Sequence, residues 1–434
     1  LVPEDHLVRK IKKYVDFSFI YDLTKPYYSE IGRPAVDPVV LFMIPIIKSI
    51  FGLPSIRRTV EEIKVNIAYR WLINIPFSEK VPDHTTYSKN YTKRFYQTDV
   101  YQKIFENILN QIIEKGLVDF TNINVDSTHL KASANKKKFV EKYVKQERSV
   151  FEDEMLAFIN EERDKDDDRP LGPKPPKEET KRTKESTTDK EAGWLNKGEK
   201  EKTFSYNAHT ACDSKGYIIG SVVKPSNIHD SRVFPEVYQT VLKQYQSLIT
   251  TIAIDAGYHS GPLIKQIMMN GHLPLLPKKQ TLSRKTYDLL QSLTYDEKHH
   301  QYISKDGSIY QYIGVNRQGY RQYKNKQGEI LRITIYKPYF DYVRELRLSE
   351  YGKTIYSKRK ETIERVFADF KERHFGRYTH YRGLKKVSDH TLLIFASMNM
   401  KKMANYLAKV SSSLSRFISK LLNLSNKKTL FSIE

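Results

Sequence analysis

Apolar side chains recur at helical spacing from residue 37 to about residue 116, in three stretches separated by proline and glycine. That period predicts packed amphipathic helices. Ser55 precedes IRRTVEEIKVNIAYRWL, where its hydroxyl can accept an early backbone N–H and open the second helix. After a break at residues 82–84, TTYSKNYTKRFYQTDVYQKIFENILNQIIEK reads as a long helical region stopped by Gly116. The period then drops to two. TNINVDSTHL alternates as a half-buried strand does and reaches a strand end at Asp126.

Residues from about 134 to 202 are Lys-, Glu- and Asp-rich and nearly devoid of apolar side chains in DDDRPLGPKPPKEETKRTKEST. Such a segment buries too little to offset its ordering entropy, so it is expected to be a solvated insertion with at most a protruding helix before Pro170. TFSYNAHTACDSKGYIIGSVVKPSN gives two alternating strands around the turn at residues 213–216, and a helix over about 233–246 leads to TIAIDAGY, an almost wholly apolar strand that ends in Asp255. A short helix and the strand-like LPLLP follow. Residues from about 281 to 342 form a second insertion, Tyr- and Lys-rich with hairpin-like SKDGSIYQYIG and QYKNKQGEILRITIY. The remainder is helical, through TIYSKRKETIERVFADFKERHF and LLIFASMNMKKMANYLAKV, to a Ser- and Lys-rich tail. The expected organisation is a helical domain over 1–116, an α/β catalytic domain over 117–409 carrying both insertions, and a helical or flexible basic tail over 410–434.

Composition narrows the partners. With 73 Lys plus Arg against 51 Asp plus Glu, a formal charge of +22 and 30 tyrosines among 434 residues, the chain is suited to a polyanion. Nucleic acid is the expected partner. The single cysteine, Cys212, excludes an internal disulfide or a cysteine-rich zinc site. The longest apolar run, residues 39–52, is too short for a bilayer and is interrupted by Pro45 and Lys48. The chain opens on Leu1, as if a few native residues were missing, and shows no charged-then-apolar leader; a cytoplasmic location is expected.

Phosphodiester chemistry at two divalent ions wants carboxylates on rigid elements. Asp126 and Asp255 end the two strands, and Glu364 lies on a helix at the edge of a stripe formed by Ile363, Val366, Phe367 and Phe370. Tyr356, Lys358, Arg359 and Lys360 lie one to two turns before Glu364, and Lys371 two turns after it, spacings suited to gripping phosphates beside the metals.

NVDSTHLKASANK, IDAGYHS and YSKRKETIERVFADFKERH, in that order, resemble the three catalytic blocks of bacterial insertion-sequence DDE transposases. GRPAVDPVVLFMIPIIKSIFGLPSIRRTVEEIKVNIAYRWLINI with VPDHTTYSKNYTKRF resembles the helical N-terminal domain of the same family, and YNAHTACDSKGYIIGSVVKPSNIHDSRVF and YRGLKKV extend the likeness over most of the chain outside the insertions. The resemblance implies a ribonuclease H-like mixed sheet flanked by helices and Mg²⁺-dependent cleavage and strand transfer at terminal inverted repeats, with Mn²⁺ as a substitute and two ions per site. It also implies double-stranded terminal-repeat and target DNA as partners and a homodimer in the synaptic complex. Asp126, Asp255 and Glu364 match the three acids and metal ligands. Tyr356, Arg359 and Lys371 match the DNA-contacting positions of the Tyr-Arg-Glu-Lys signature. Four residues rather than the family's three separate Arg359 from Glu364, which leaves Lys360 as an alternative cation and Glu361 as the rival third acid. The cysteines that related chains often carry before this helix are absent, so no zinc role is expected there. His129 is a secondary candidate for assisting a metal or water, and Trp194 for stacking on an unpaired base, although local packing suits it better. His229 and Asp230, in NIHDSRVF, resemble a block of the same family, and Asp230 is equally well explained as the N-cap of the helix after it. The reading from another class is a transposase-derived DNA-binding protein without catalysis.

Overall fold

The computed structural model describes residues 1–29, 31, 35–145, 151–173, 180–198, 201–277 and 292–430. Its first part is helical: α1 (Leu7–Tyr14), α2 (Phe19–Thr24), α3 (Pro38–Ile50), α4 (Ile56–Val65), α5 (Ile67–Leu72), α6 (His84–Asn90) and α7 (Val100–Glu114). Local chemistry sets the boundaries. Asp37 Oδ1 accepts from the N–H groups of Val39 (2.7 Å) and Val40 (3.2 Å), and Ser55 Oγ accepts from Arg58 N–H (3.1 Å) as expected. Two expected continuous helices are divided. Asn66 caps α5 by accepting from Ala68 and Tyr69, ending α4, and Gln97, at φ 66°, breaks the chain between α6 and α7. Gly116 takes φ +64° at the close of α7.

The central sheet comprises β1 (Asn122–Lys131), β4 (Gly193–Asn196), β5 (Lys202–Cys212), β6 (Ile218–Pro225), β7 (Thr251–Ile254) and β8 (Leu273–Leu275), while β2 (Phe139–Lys145) and β3 (Thr180–Ser186) pair as a separate ribbon. Strands β1, β7 and β8 run parallel, and β5 lies antiparallel on the other side of β1, bordered by β6 and β4. This mixed sheet is that of a ribonuclease H-like fold. Asp126 is not at a strand end: β1 continues five residues beyond it, because β5 stays paired with β1 as far as Lys131.

The insertions are more ordered than their polarity suggests. The first contains α8 (Glu152–Asp164), whose Phe158 and Ile159 bury against Val315, Ile335 and Tyr336 of the second. The second is a five-stranded antiparallel meander of β9 (Leu293–Asp296), β10 (Gln301–Ser304), β11 (Ile309–Val315), β12 (Tyr320–Lys324) and β13 (Ile330–Thr334), and the expected turn in SKDGSIYQYIG is made at Gly307, φ +82°. Arg321 pairs with Glu162, and Tyr312 donates to Asp166 (2.7 Å), so each insertion supplies the partners the other lacks. Part of the second, residues 281–291, lies outside the described residues.

Helices α9 (Asp230–Val237) and α10 (Gly261–Met269) lie between sheet strands in sequence, and α11 (Lys337–Leu348) and α12 (Glu350–Arg359) follow the meander. A π-helical turn (Lys360–Glu364) joins α12 to α13 (Arg365–Arg373), and α14 (Leu384–Leu430) ends the fold. Helix α14 packs on β6 and also on α1, α3 and α7. One hydrophobic core therefore runs from Ile44 and Ile108 through Phe395 to Ile123 and Phe234. Among the described residues no helix is long and apolar enough to cross a membrane.

Candidate active site

The parallel register pairs Val125 with Ile254, the last residue of β7, which brings Asp126 on β1 level with Asp255, the residue that follows β7. Beyond that pair β7 stops. Among the described residues the same edge of β1 is met again at Lys131, whose N–H donates to the Arg377 carbonyl (3.1 Å) and whose carbonyl accepts from Thr379 N–H (2.9 Å). A notch remains along residues 126–130. It opens the two acids to one side while the sheet holds their backbones.

Arg359 enters this notch from α12. Its guanidinium donates to Asp126 Oδ2 at 2.6 Å while the side chain is only 5% exposed, and Ser127 N–H donates to Asp126 Oδ1 at 2.8 Å. Burial pushes the Asp126 carboxyl up, against the opposing pull of Arg359, and neighbouring Asp255 adds to the rise. Tyr356 is buried against Ala253 and Leu275, with Arg347 over its ring at 4.2 Å. Of the four expected DNA contacts, Tyr356 and Arg359 are thus turned into the protein, Lys371 is half-buried and Lys360 is exposed.

The extra residue between Arg359 and Glu364 has a structural counterpart. Residues Lys360–Glu364 form the π turn, which accommodates one residue more than an α-turn and lets the flanking helices keep their buried faces: Arg359 before it, then Ile363, Val366, Phe367 and Phe370. The rival acids separate around this turn. Glu361 lines a cleft of about 920 Å³ with Lys358, Arg365, Lys401 and Lys402, beside the turn at Ser214–Gly216. Glu364 lies outside that lining and is exposed. Seven residues on, Lys371 shares its helix face. Burial first, then Lys371 and Lys197, draws His129 down to about 4. His129 itself is tied to Glu201 (Nε2 to Oε2, 3.0 Å).

Trp194 packs edge-on against Phe204, ring centroids 4.9 Å apart, with Lys184 over its face at 4.7 Å. It is part of the sheet edge. Asp230 is not the cap expected of it: the ring Nδ1 of His229 accepts from Ser231 N–H, freeing the Asp230 carboxylate to face the sheet. There Ser127 Oγ donates to Asp230 Oδ1 (3.2 Å), and His209 Nδ1 lies 3.8 Å from the same oxygen. Asp230 is thus a carboxylate against β1 that sequence reasoning set aside. Its signal, the acid one residue past His229, was absorbed by the cap rule.

As tests of fit to divalent ions, two adjacent carboxylates, one raised by burial, and a buried guanidinium bound to one of them mark a place where positive charge is required. Among the described residues no three His, Cys, Asp or Glu side chains converge closely enough to form a ready cage. Mg²⁺ keeps several waters and takes only one or two protein carboxylates directly, so adjacent Asp126 and Asp255 suffice as the nucleus of a site.

A family model described as a Transposase DDE domain matches residues 113–400, a span holding Asp126, Asp255 and Glu364, and a second, a transposase domain (DUF772), matches residues 1–93. No curated protein matches the chain.

Proposed function

The chain belongs to the insertion-sequence DDE transposases, and from that premise we propose that it cleaves the ends of its own element and joins the freed 3′-hydroxyls to target DNA by two-metal-ion phosphoryl transfer. The carrying observation is the β1–β7 register that sets Asp126 beside Asp255 at an open notch. Asp126, Asp255 and Glu364 are the residues assigned to two Mg²⁺ ions, which when bound stabilise the entering and leaving oxygens of in-line displacement. Asp126 and Asp255 hold their end of the site rigidly. Glu364 comes from the helix beside them, on the face it shares with Lys371, and Glu361 is assigned away from the site because it lines the separate cleft. Lys360 and Lys371 are the cations left to meet the phosphate backbone, while Arg359 holds the Asp126 carboxylate in place. Two ends must be cut and joined together, so a synaptic homodimer with one site per end is the economical arrangement.

The test is cleavage and joining of a labelled duplex carrying the element's end, in Mg²⁺ or Mn²⁺, by wild type, Glu364→Gln and Glu361→Gln. Glu364→Gln should lose both reactions by more than about a hundredfold, exceeding the usual cost of an outer-shell change, and keep DNA binding. Glu361→Gln should stay near wild type. Binding of the end with no cutting under either metal would sink the enzymatic assignment in favour of a DNA-binding relic, and cutting of both ends by a strict monomer would sink the dimer.

A further inference from the structure

Successive side chains of a strand leave opposite faces of its sheet. Asp126 meets Arg359 on one face, whereas Ser127 meets Asp230 on the other, next to His209, its cross-strand neighbour. Asp230 also approaches the second acid: a side chain added at Gly257, two residues past Asp255, would meet Asp230 Oδ2 at 2.8 Å. Helix α9 therefore carries a carboxylate to the same notch from the face opposite α12. That carboxylate is poorly compensated. Among the described residues it accepts one hydrogen bond, from the neutral Ser127 hydroxyl; His209 Nδ1, 3.8 Å away, already has Tyr258 Oη at 3.0 Å, and His229 and Lys197 act on it only as weaker opposing charges against burial. His209 is fully buried, and its Nε2 has no hydrogen-bond partner among the described residues.

Three carboxylates, Asp126, Asp255 and Asp230, thus surround the notch with one close cation, Arg359, among the described residues. Half-buried carboxylates left short of positive charge are what a cation site looks like before its ion is counted. We propose that Asp230 is a fourth carboxylate of the metal site, acting on an ion at Asp255 from the α9 face, through a metal-bound water in keeping with the hydration that Mg²⁺ retains. The inference rests on the two-metal reading given above.

The experiment is Mn²⁺ titration of the full chain followed by electron paramagnetic resonance, with melting curves taken with and without the ion. Asp230→Asn keeps the shape and can still accept from Ser127, so it removes charge alone. It should weaken Mn²⁺ binding about tenfold, the lower end for an outer-shell partner, and melt no lower than wild type in the absence of metal. Asp230→Glu, which keeps the charge, should bind closer to wild type than Asp230→Asn does, and Asp126→Asn should lose most binding. Equal Mn²⁺ affinity in wild type and Asp230→Asn would overturn the role of Asp230 while leaving the two-metal reading intact. A metal-free Asp230→Asn chain that melts far below wild type would also overturn it, making Asp230 a structural anchor. Wild type that binds no Mn²⁺ would overturn both.

Discussion

At the scale of residues, the Arg359–Asp126 pair links stability to charge. Both side chains are largely buried, at 5% and 19% exposure, so removing the cation alone strands a carboxylate. Arg359→Met is expected to cost ~3–5 kcal/mol, and Arg359→Met with Asp126→Asn distinctly less, since the double change removes both charges. Melting curves check this, and Mg²⁺ should recover part of the loss in the single variant by supplying the missing positive charge. Acid stability has a sign that follows from the imidazoles. His209 is drawn from 6.5 down to about 4, mainly by burial and then by Lys224, and His129 to about 4 by burial and two lysines. Between those values the unfolded chain binds more protons than the folded one. Stability is therefore whole above the unfolded value of 6.5 and falls as pH drops toward 4. The raised carboxyls of Asp126 and Asp230 work in the opposite sense at the acid end of that window. Melting temperature from pH 7 to 4.5 tests the fall, and the His209 ring, followed by NMR, should remain unprotonated until about pH 4.

At the scale of elements, the π turn makes a discriminating prediction. Deleting exposed Lys360 should restore an α-turn between Arg359 and Glu364, leaving both flanking helices on their present faces, so the melting temperature should shift by no more than a few degrees. Deleting Ala368, on regular α13, should instead rotate fully buried Phe370 by about 100° out of the core and cost ~3–5 kcal/mol. Comparable losses from the two deletions would show that the turn carries no inserted residue. The elements also show what patterning can and cannot carry. The Ser55 cap, the Gly116 stop, the strand before Asp255 and the hairpin turn at residues 213–216 were legible because each depends on its own few residues. The continuation of β1 past Asp126 was not legible, since it depends on pairing with β5, some eighty residues later.

At the scale of the molecule, the N-terminal helices and the sheet share one core through α14, where Leu393, Ile394, Phe395, Met400 and Met403 are buried. A fragment starting at residue 117 would expose that face of α14, and is expected to lack a cooperative thermal transition by circular dichroism and to be cut rapidly in limited proteolysis. A fragment that melts cooperatively like the full chain would show that the helices are an appendage. The two polar insertions are the other large-scale surprise. The meander buries Tyr310, Tyr323, Leu331 and Ile333 within itself, and Phe158 and Ile159 of the first insertion find Val315, Ile335 and Tyr336 of the second.

The sequence by itself determined the kinds of element, the basic charge, and the ordered motifs that carry Asp126, Asp255 and Glu364, because helix period, strand alternation and motif order are properties of neighbours along the chain. Only the tertiary structure decided that Asp126 and Asp255 stand abreast, that Arg359 is spent on Asp126 rather than exposed, that Glu361 and Glu364 part around a π turn, and that Asp230 reaches the notch from the opposite face. Each of these turns on strand register, on helix rotation, or on which face of a sheet a side chain leaves. Such quantities are set by contacts between segments far apart in sequence, where local pattern carries no signal.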